Sequence, residues 1–178
     1  AHSIVLTFSD STDLLRASTG KSSQIDVWGS ALSVYYGITD ENMTKNIGHS
    51  LLKALNAGTI AWKGNIRHVP TNEDYDINTA WEKTVNFGSF PKNRYQNGAY
   101  WNTPTGWVCY AIAQVDEIAA KQLALNYIEQ LRENDYRKGE VFGAPYECIH
   151  PEENHRQNPV YLTSVTCPLA AFQRLNWL

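Results

Sequence analysis

The feature that most constrains this chain is a helical hydrophobic period that repeats after a very short break. Apolar residues recur at three- and four-residue intervals over residues 25–36, and they do so again over residues 43–55. The breaks carry residues typical of helix ends, namely Gly37, then Thr39 or Asp40 as a cap, and Gly58. Because two helices joined by two or three residues must lie antiparallel, residues 24–57 are predicted to form an αα-hairpin.

A second hairpin is predicted between residues 104 and 134. Its first half, "TGWVCYAIAQV", is apolar nearly all round, whereas its second half has one apolar face and begins at Asp116. A last apolar helix is predicted over residues 160–176, with a kink or a restart at Pro168. These patterns predict an all-α fold of antiparallel hairpins with an inner and an outer layer.

The connections between these units differ greatly in length. Residues 58–103 and 138–158 are long polar and aromatic stretches, which in a compact domain are usually functional. If the hairpins repeat in one direction, the long connections emerge together at the N-terminal ends of the inner helices. The stretch "GTIAWKGNIRHVP" predicts a minor two-stranded element, and residues 1–8 predict a strand or the frayed end of a preceding helix.

Composition excludes several classes of protein. The chain of 178 residues, 43% apolar and 19% charged, is typical of one globular domain. A net charge of -3 gives no basic surface for a nucleic acid, and no apolar run approaches the roughly 20 residues that cross a bilayer. Three widely spaced cysteines fit neither a disulfide scaffold nor a zinc site. The compartment is left open.

The residues expected at the shared rim favour carbohydrate recognition. Aromatic rings stack on the flat C–H faces of a sugar, while amides, arginines and carboxylates bind its hydroxyls. The alternative is that the aromatic residues have a purely structural role and only pack the loops onto the helices. The candidates are Asp26, Trp62, His68, the segment "NRYQNGAYW" at residues 93–101, Glu147 and His150.

Glu147 is the candidate catalytic carboxylate. Hydrolysis of a glycoside needs one carboxylic acid to protonate the leaving oxygen and a second carboxylate to activate water or attack carbon. Glu147 lies between Tyr146 and Cys148, and the alternative is an ordinary solvated loop glutamate. His150 and His155 lack the spacing of an HExxH motif, so neither a metal nor another cofactor is predicted.

Three stretches resemble the six-hairpin glycosidases: "SQIDVWGSALSVYYGI", "YQNGAYWNTPTGWVCYAIA" and "PYECIHP". The likeness covers most of residues 22–175 and implies part of an (α/α)6 toroid. It implies that Glu147 is the general base of an inverting hydrolase. Carried over by position, it also implies substrate-binding roles at Asp26, Trp28, Tyr95, Gln96, Asn97, Tyr100 and Trp101.

The likeness is incomplete, because a full toroid has six hairpins and this chain predicts two and a half. Residues 1–178 are therefore expected to be a single domain that forms the C-terminal part of a larger catalytic domain. The general acid is expected from a missing hairpin, since the only nearby candidates are Glu73, Asp74 and Asp76. Exposed helical layers predict self-association or a missing N-terminal part. The alternative function is a non-catalytic carbohydrate-binding or structural α-hairpin module.

Overall fold

The protein combines helices with a substantial sheet. The computed structural model describes residues 12–18, 24–70, 93–133, 135–138 and 143–178. Within these ranges it has five α-helices and one five-stranded antiparallel sheet. The predicted all-α array of toroid hairpins is therefore wrong, and the fold is mixed α/β.

The helices follow the hydrophobic period closely. The helices are α1 (Val27–Tyr35), α2 (Glu41–Asn56), α3 (Thr105–Ala113), α4 (Glu117–Glu133) and α5 (Thr163–Arg174). Aspartates cap α2 and α4, as predicted: Asp40 accepts the N–H of Met43 at 2.8 Å and Asp116 accepts that of Ala119 at 2.9 Å. α3 contacts each of the other four helices and lies at the centre of the apolar core.

α5 is one helix that continues through Pro168, so of the predicted kink or restart the restart does not occur. A proline has no N–H, so the carbonyl four residues earlier loses its helical partner. That carbonyl belongs to Ser164, and it accepts a hydrogen bond of 2.9 Å from the hydroxyl of Tyr127 instead. The contact fastens α5 to α4 at the point where the proline would weaken it.

The sheet is built from the long connections between the helical pairs. Its strands pair in chain order, each antiparallel to the next. Lys63 and Gly64 join the first two strands with φ of 45° and 79°, which is the positive-φ pattern of a tight hairpin turn. The predicted two-stranded element is thus confirmed, and it is one edge of a larger sheet. The strands are β1 (Ala61–Trp62), β2 (Asn65–Arg67), β3 (Tyr100–Trp101), β4 (Tyr146–His150) and β5 (His155–Pro159).

Some predictions lie outside the described residues or stay untested. Residues 1–8 and the three acidic candidates Glu73, Asp74 and Asp76 fall outside them. None of the described helices combines the length and the apolar character needed to cross a membrane. Ile118 and Leu125 on α4 are exposed, but the predicted self-association, like the larger catalytic domain, stays a prediction.

Candidate functional site

Asp26 and His68 join the start of α1 to the end of β2. The Oδ1 atom of Asp26 accepts the N–H of Gly29 at 2.7 Å, which caps α1, and lies 3.1 Å from Nε2 of His68. The backbone repeats the link, because the N–H of Val27 donates to the carbonyl of His68 at 2.9 Å. The carboxylate can only accept, so a hydrogen bond across this contact requires a proton on Nε2 of His68.

Three aromatic residues continue from this pair as a row of rings, here called the aromatic row: Trp28, Trp101 and Tyr95. The indole of Trp28 stacks on the His68 ring with centroids 4.4 Å apart. Trp101 meets Trp28 edge-on at 5.1 Å and Tyr95 at 5.0 Å. Trp101 is buried, whereas Trp28 and Tyr95 are half-buried, so the two ends of the row reach towards the surface.

Tyr95 lies in a strained turn. Its φ is +44°, a region that side chains other than glycine seldom adopt, and the flanking Asn93 and Gly98 have φ of 68° and 99°. The N–H of Asn97 closes the turn on the carbonyl of Arg94 at 2.9 Å. The carbonyl of Tyr95 also accepts the indole N–H of Trp101 at 3.2 Å. The turn therefore fixes Tyr95 against the row.

Glu147 is the second residue of β4 and is only 6% exposed. One carboxylate oxygen accepts a hydrogen bond of 2.6 Å from the amide of Asn158 on β5. Burial raises the pKa of Tyr95, and the negative charge of Glu147 raises it further. The Tyr95 hydroxyl therefore keeps its proton at neutral pH. Burial, with Glu147 beside it, likewise raises the pKa of Cys148 to about 12.

The other predicted residues form a second group around Tyr100. Its ring lies 6.3 Å from that of Trp62 and 5.6 Å from that of His150. The guanidinium of Arg67 stands 4.4 Å above the Tyr100 ring and places a nitrogen 3.3 Å from Nε2 of His150. Tyr100 and Trp101 are consecutive residues of β3, so their side chains point to opposite faces of the sheet. The structure thus divides the predicted site in two.

The first group brings together most of the predicted residues. Asp26, Trp28, His68, Tyr95 and Trp101 are in direct contact along the row, and the charge of Glu147 reaches Tyr95. Asn97 is buried in the turn below them, and Gln96 is half-buried beside it. Trp62, Tyr100 and His150 belong to the second group.

Among the described residues, two buried polar atoms at the Trp28 end of the row have no hydrogen-bond partner. They are Nε1 of Trp28 and Nδ1 of His68, and they belong to rings that stack on each other. Most buried polar atoms in folded proteins are paired, so two unpaired atoms on stacked rings are unusual.

Sequence reasoning missed two residues of the site. Asn158 was read as part of a polar loop, although its φ of +44° and its amide place it on Glu147. Arg67 was not singled out either. The available signal was its position two residues after Asn65 in the alternating stretch, since residues two apart in a strand lie on the same face of the sheet. Asn65 pairs with Trp62, so Arg67 lies on the face of Trp62.

Among the described residues, no cluster of three or more histidine, cysteine or acidic side chains has the arrangement of a metal site. No protein-family model matches the chain, and no curated protein and no solved structure matches it either. The resemblance to six-hairpin glycosidases therefore stays a prediction.

Proposed function

We propose that this protein binds a glycan along the aromatic row and hydrolyses it, with Glu147 as the general base that activates water in an inverting reaction. The observation that carries the proposal is the setting of Glu147. Glu147 is almost fully buried, its carboxylate is oriented by the amide of Asn158 at 2.6 Å, and its negative charge raises the pKa of Tyr95 at the end of the row. A solvated loop glutamate has none of these restraints.

The aromatic row supplies the contacts that a sugar requires. Trp28 and Tyr95 are half-buried rings on which a pyranose can stack. The hydroxyl of Tyr95, which keeps its proton at neutral pH, provides a hydrogen-bond donor for a sugar hydroxyl. The chemistry of the row thus supports polyol binding.

Glu147 would act by removing a proton from a water molecule as that water attacks the anomeric carbon. The Asn158 amide occupies one carboxylate oxygen, which leaves the other to accept the proton. The reaction also needs a general acid to protonate the leaving oxygen. We assign no acid among the described residues, and the carboxylates of Glu73, Asp74 and Asp76 lie outside them.

The test is hydrolysis of a panel of aryl glycosides by the wild type and by Glu147→Gln. Loss of a general base typically costs about 10²–10⁴ in rate, so turnover should fall by at least about a hundredfold. Glu152→Gln is the matched control, because Glu152 is an exposed glutamate five residues further along the chain. This variant should hydrolyse the glycosides at the wild-type rate. Undiminished turnover by Glu147→Gln would rule out Glu147 as the base.

A second candidate is a carbohydrate-binding module without catalysis. The absence of a second carboxylate in contact with Glu147, among the residues that the structure describes, favours it. This candidate predicts that oligosaccharides bind without being cleaved. Both candidates predict that Tyr95→Phe weakens oligosaccharide binding, which calorimetry measures. Tyr36→Phe, which changes an exposed ring at the far end of α1, should leave that binding unchanged.

A further inference from the structure

A second recess lies at the β4–β5 end of the sheet, next to the group around Tyr100. Its volume is about 160 Å³, and Trp62 and Tyr146 contribute aromatic walls. The polar lining includes His150, His155 and Arg156, and none of the described residues that line it carries a carboxylate. The volume exceeds the roughly 30 Å³ that a water molecule occupies in the liquid, so there is room for a small ligand.

The contact between Arg67 and His150 fixes where the protons are. An arginine side chain in a protein is always protonated, so its nitrogen must donate across the 3.3 Å to Nε2 of His150. Nε2 is then the acceptor of a neutral ring, and the proton is on Nδ1. Burial and the adjacent Arg67 both lower the pKa of His150, which agrees with a neutral ring.

Among the described residues, this arrangement leaves two buried donors without an acceptor. His150 is 1% exposed, yet its Nδ1 has no hydrogen-bond partner there, and Nε of Arg67 is also buried and unpartnered. An unpaired buried donor costs free energy that an acceptor would recover. The His150 side chain lines the recess while Nδ1 itself is shielded from solvent, so a ligand supplies that acceptor when the neighbouring side chains move to admit it.

Among the described residues, neither Arg67 nor Arg156 forms an ion pair. The negative charges of Glu153 and Glu152 act on His150 and raise its pKa, against the larger effect of burial and the effect of Arg67. Arg156 stands 5.8 Å from the Tyr146 ring centroid. The carboxylate of the nearby Glu153 forms an ion pair with Arg94 at 3.3 Å and accepts a hydrogen bond of 2.8 Å from the amide of Asn93.

We propose that this recess, between Trp62 and Tyr146, binds a small oxyanion, a carboxylate or a sulfate, through Nδ1–H of His150 and the guanidinium of Arg156, with Arg67 positioning His150. Oxyanions are acceptor-only groups and form the strongest hydrogen bonds to charged donors. The proposal does not depend on hydrolysis by Glu147, because the recess lies at the second group of residues and not at the aromatic row.

Isothermal titration calorimetry with sodium sulfate and sodium acetate tests the proposal, with acetamide as the neutral match for acetate and ionic strength held constant with chloride. We expect saturable binding of at least one anion and none of acetamide. Arg156→Gln should weaken that binding by about tenfold or more, since it removes a charged donor. Arg132→Gln, at an exposed arginine outside the recess, should change it by less than about twofold.

A spectroscopic readout separates loss of the site from loss of the fold. In the wild type, the ¹⁵N resonance of Nδ1 of His150 should shift on anion addition, and Arg67→Gln should reduce the shift. Binding of sulfate alone assigns a tetrahedral oxyanion, and binding of acetate alone assigns a carboxylate. The proposal is wrong if no anion binds saturably, if acetamide binds as well as acetate, or if both arginine variants bind like the wild type.

Discussion

Asp26 does two jobs with one carboxylate oxygen. It caps α1 at 2.7 Å and holds the His68 ring at 3.1 Å. Asp40 offers a comparison, because it caps α2 in the same way at 2.8 Å and is exposed. Comparing the two aspartates separates the contribution of a helix cap to the free energy of unfolding from the contribution of the histidine contact.

We expect Asp40→Ala to lower the free energy of unfolding by about 1 kcal/mol, the usual value of an N-cap. Asp26→Ala should cost about 2–3 kcal/mol, because it also leaves His68 with an unpaired ring nitrogen. Urea denaturation of both variants measures the difference. Equal losses would mean that the Asp26–His68 contact adds nothing to stability.

Single residues were predicted well where their role depended on local sequence. The sequence placed Asp26 at the start of a helix, and Trp28, Tyr95 and Trp101 in one cluster with it. It also placed Tyr100 in that cluster, and the structure puts Tyr100 on the other face of the sheet. The error follows from β3, because a two-residue strand leaves too little alternation to recognise.

At the scale of elements, helices were predictable and three of the five strands were not. β4 is buried at all five positions, so it lacks the alternation of apolar and polar residues that reveals a half-exposed strand. β5 alternates in burial, but its sequence "HRQNP" is polar throughout and looks like a loop. β4 pairs with β5 on one side and with β3 on the other. No local sequence pattern specifies these pairings.

The β1–β2 turn provides a sharp test of how the sheet meets the helices. Gly64 has φ of +79°, and a Cβ placed on it would stand 2.3 Å from the backbone nitrogen of Tyr127 on α4. Gly58 also has positive φ, +69°, with nothing within 4 Å. Gly58→Ala should therefore cost about 1–2 kcal/mol for backbone strain alone.

Gly64→Ala adds a collision with helix backbone to the same strain, so we expect a loss above about 3 kcal/mol or failure to fold. Thermal unfolding of the two variants measures both losses. If Gly64→Ala were no more destabilising than Gly58→Ala, the turn would not pack against α4 as described.

At the scale of the molecule, buried histidines link stability to pH. Burial lowers the pKa of both His150 and His155 from the usual 6.5. Below about pH 6.5 the unfolded chain binds protons that the folded chain does not, so the folded state loses stability as the pH falls. Above that pH the full stability is present.

The free energy of unfolding should therefore decrease between about pH 7 and about pH 5, by at most about 1.4 kcal/mol per pH unit for each such histidine. His150→Gln, which keeps an acceptor for Arg67, should make the slope shallower. His49→Gln, at an exposed position of α2, is the control and should leave the slope unchanged. Chemical denaturation over this pH range gives the slopes, and a slope unaltered by His150→Gln would contradict the assignment.

The whole fold could be predicted only in part from the sequence. The hydrophobic period identified the helical pairs, because neighbouring helices are specified by residues close in the chain. The sheet pairs Ile66 with Trp101 and Tyr100 with Ile149, contacts between segments far apart in sequence. The two long connections were expected to meet at a shared rim of an all-α array, and they meet instead as strands of one sheet.

The most direct test of Glu147 as base is azide rescue of Glu147→Ala on an aryl glycoside that the wild type hydrolyses. A small anionic nucleophile does not need a base, so azide should restore turnover and yield a glycosyl azide with inverted anomeric configuration. The stereochemistry can be read by proton NMR. Wild-type turnover by Glu147→Ala without azide, or a rescued product with retained configuration, would contradict the account.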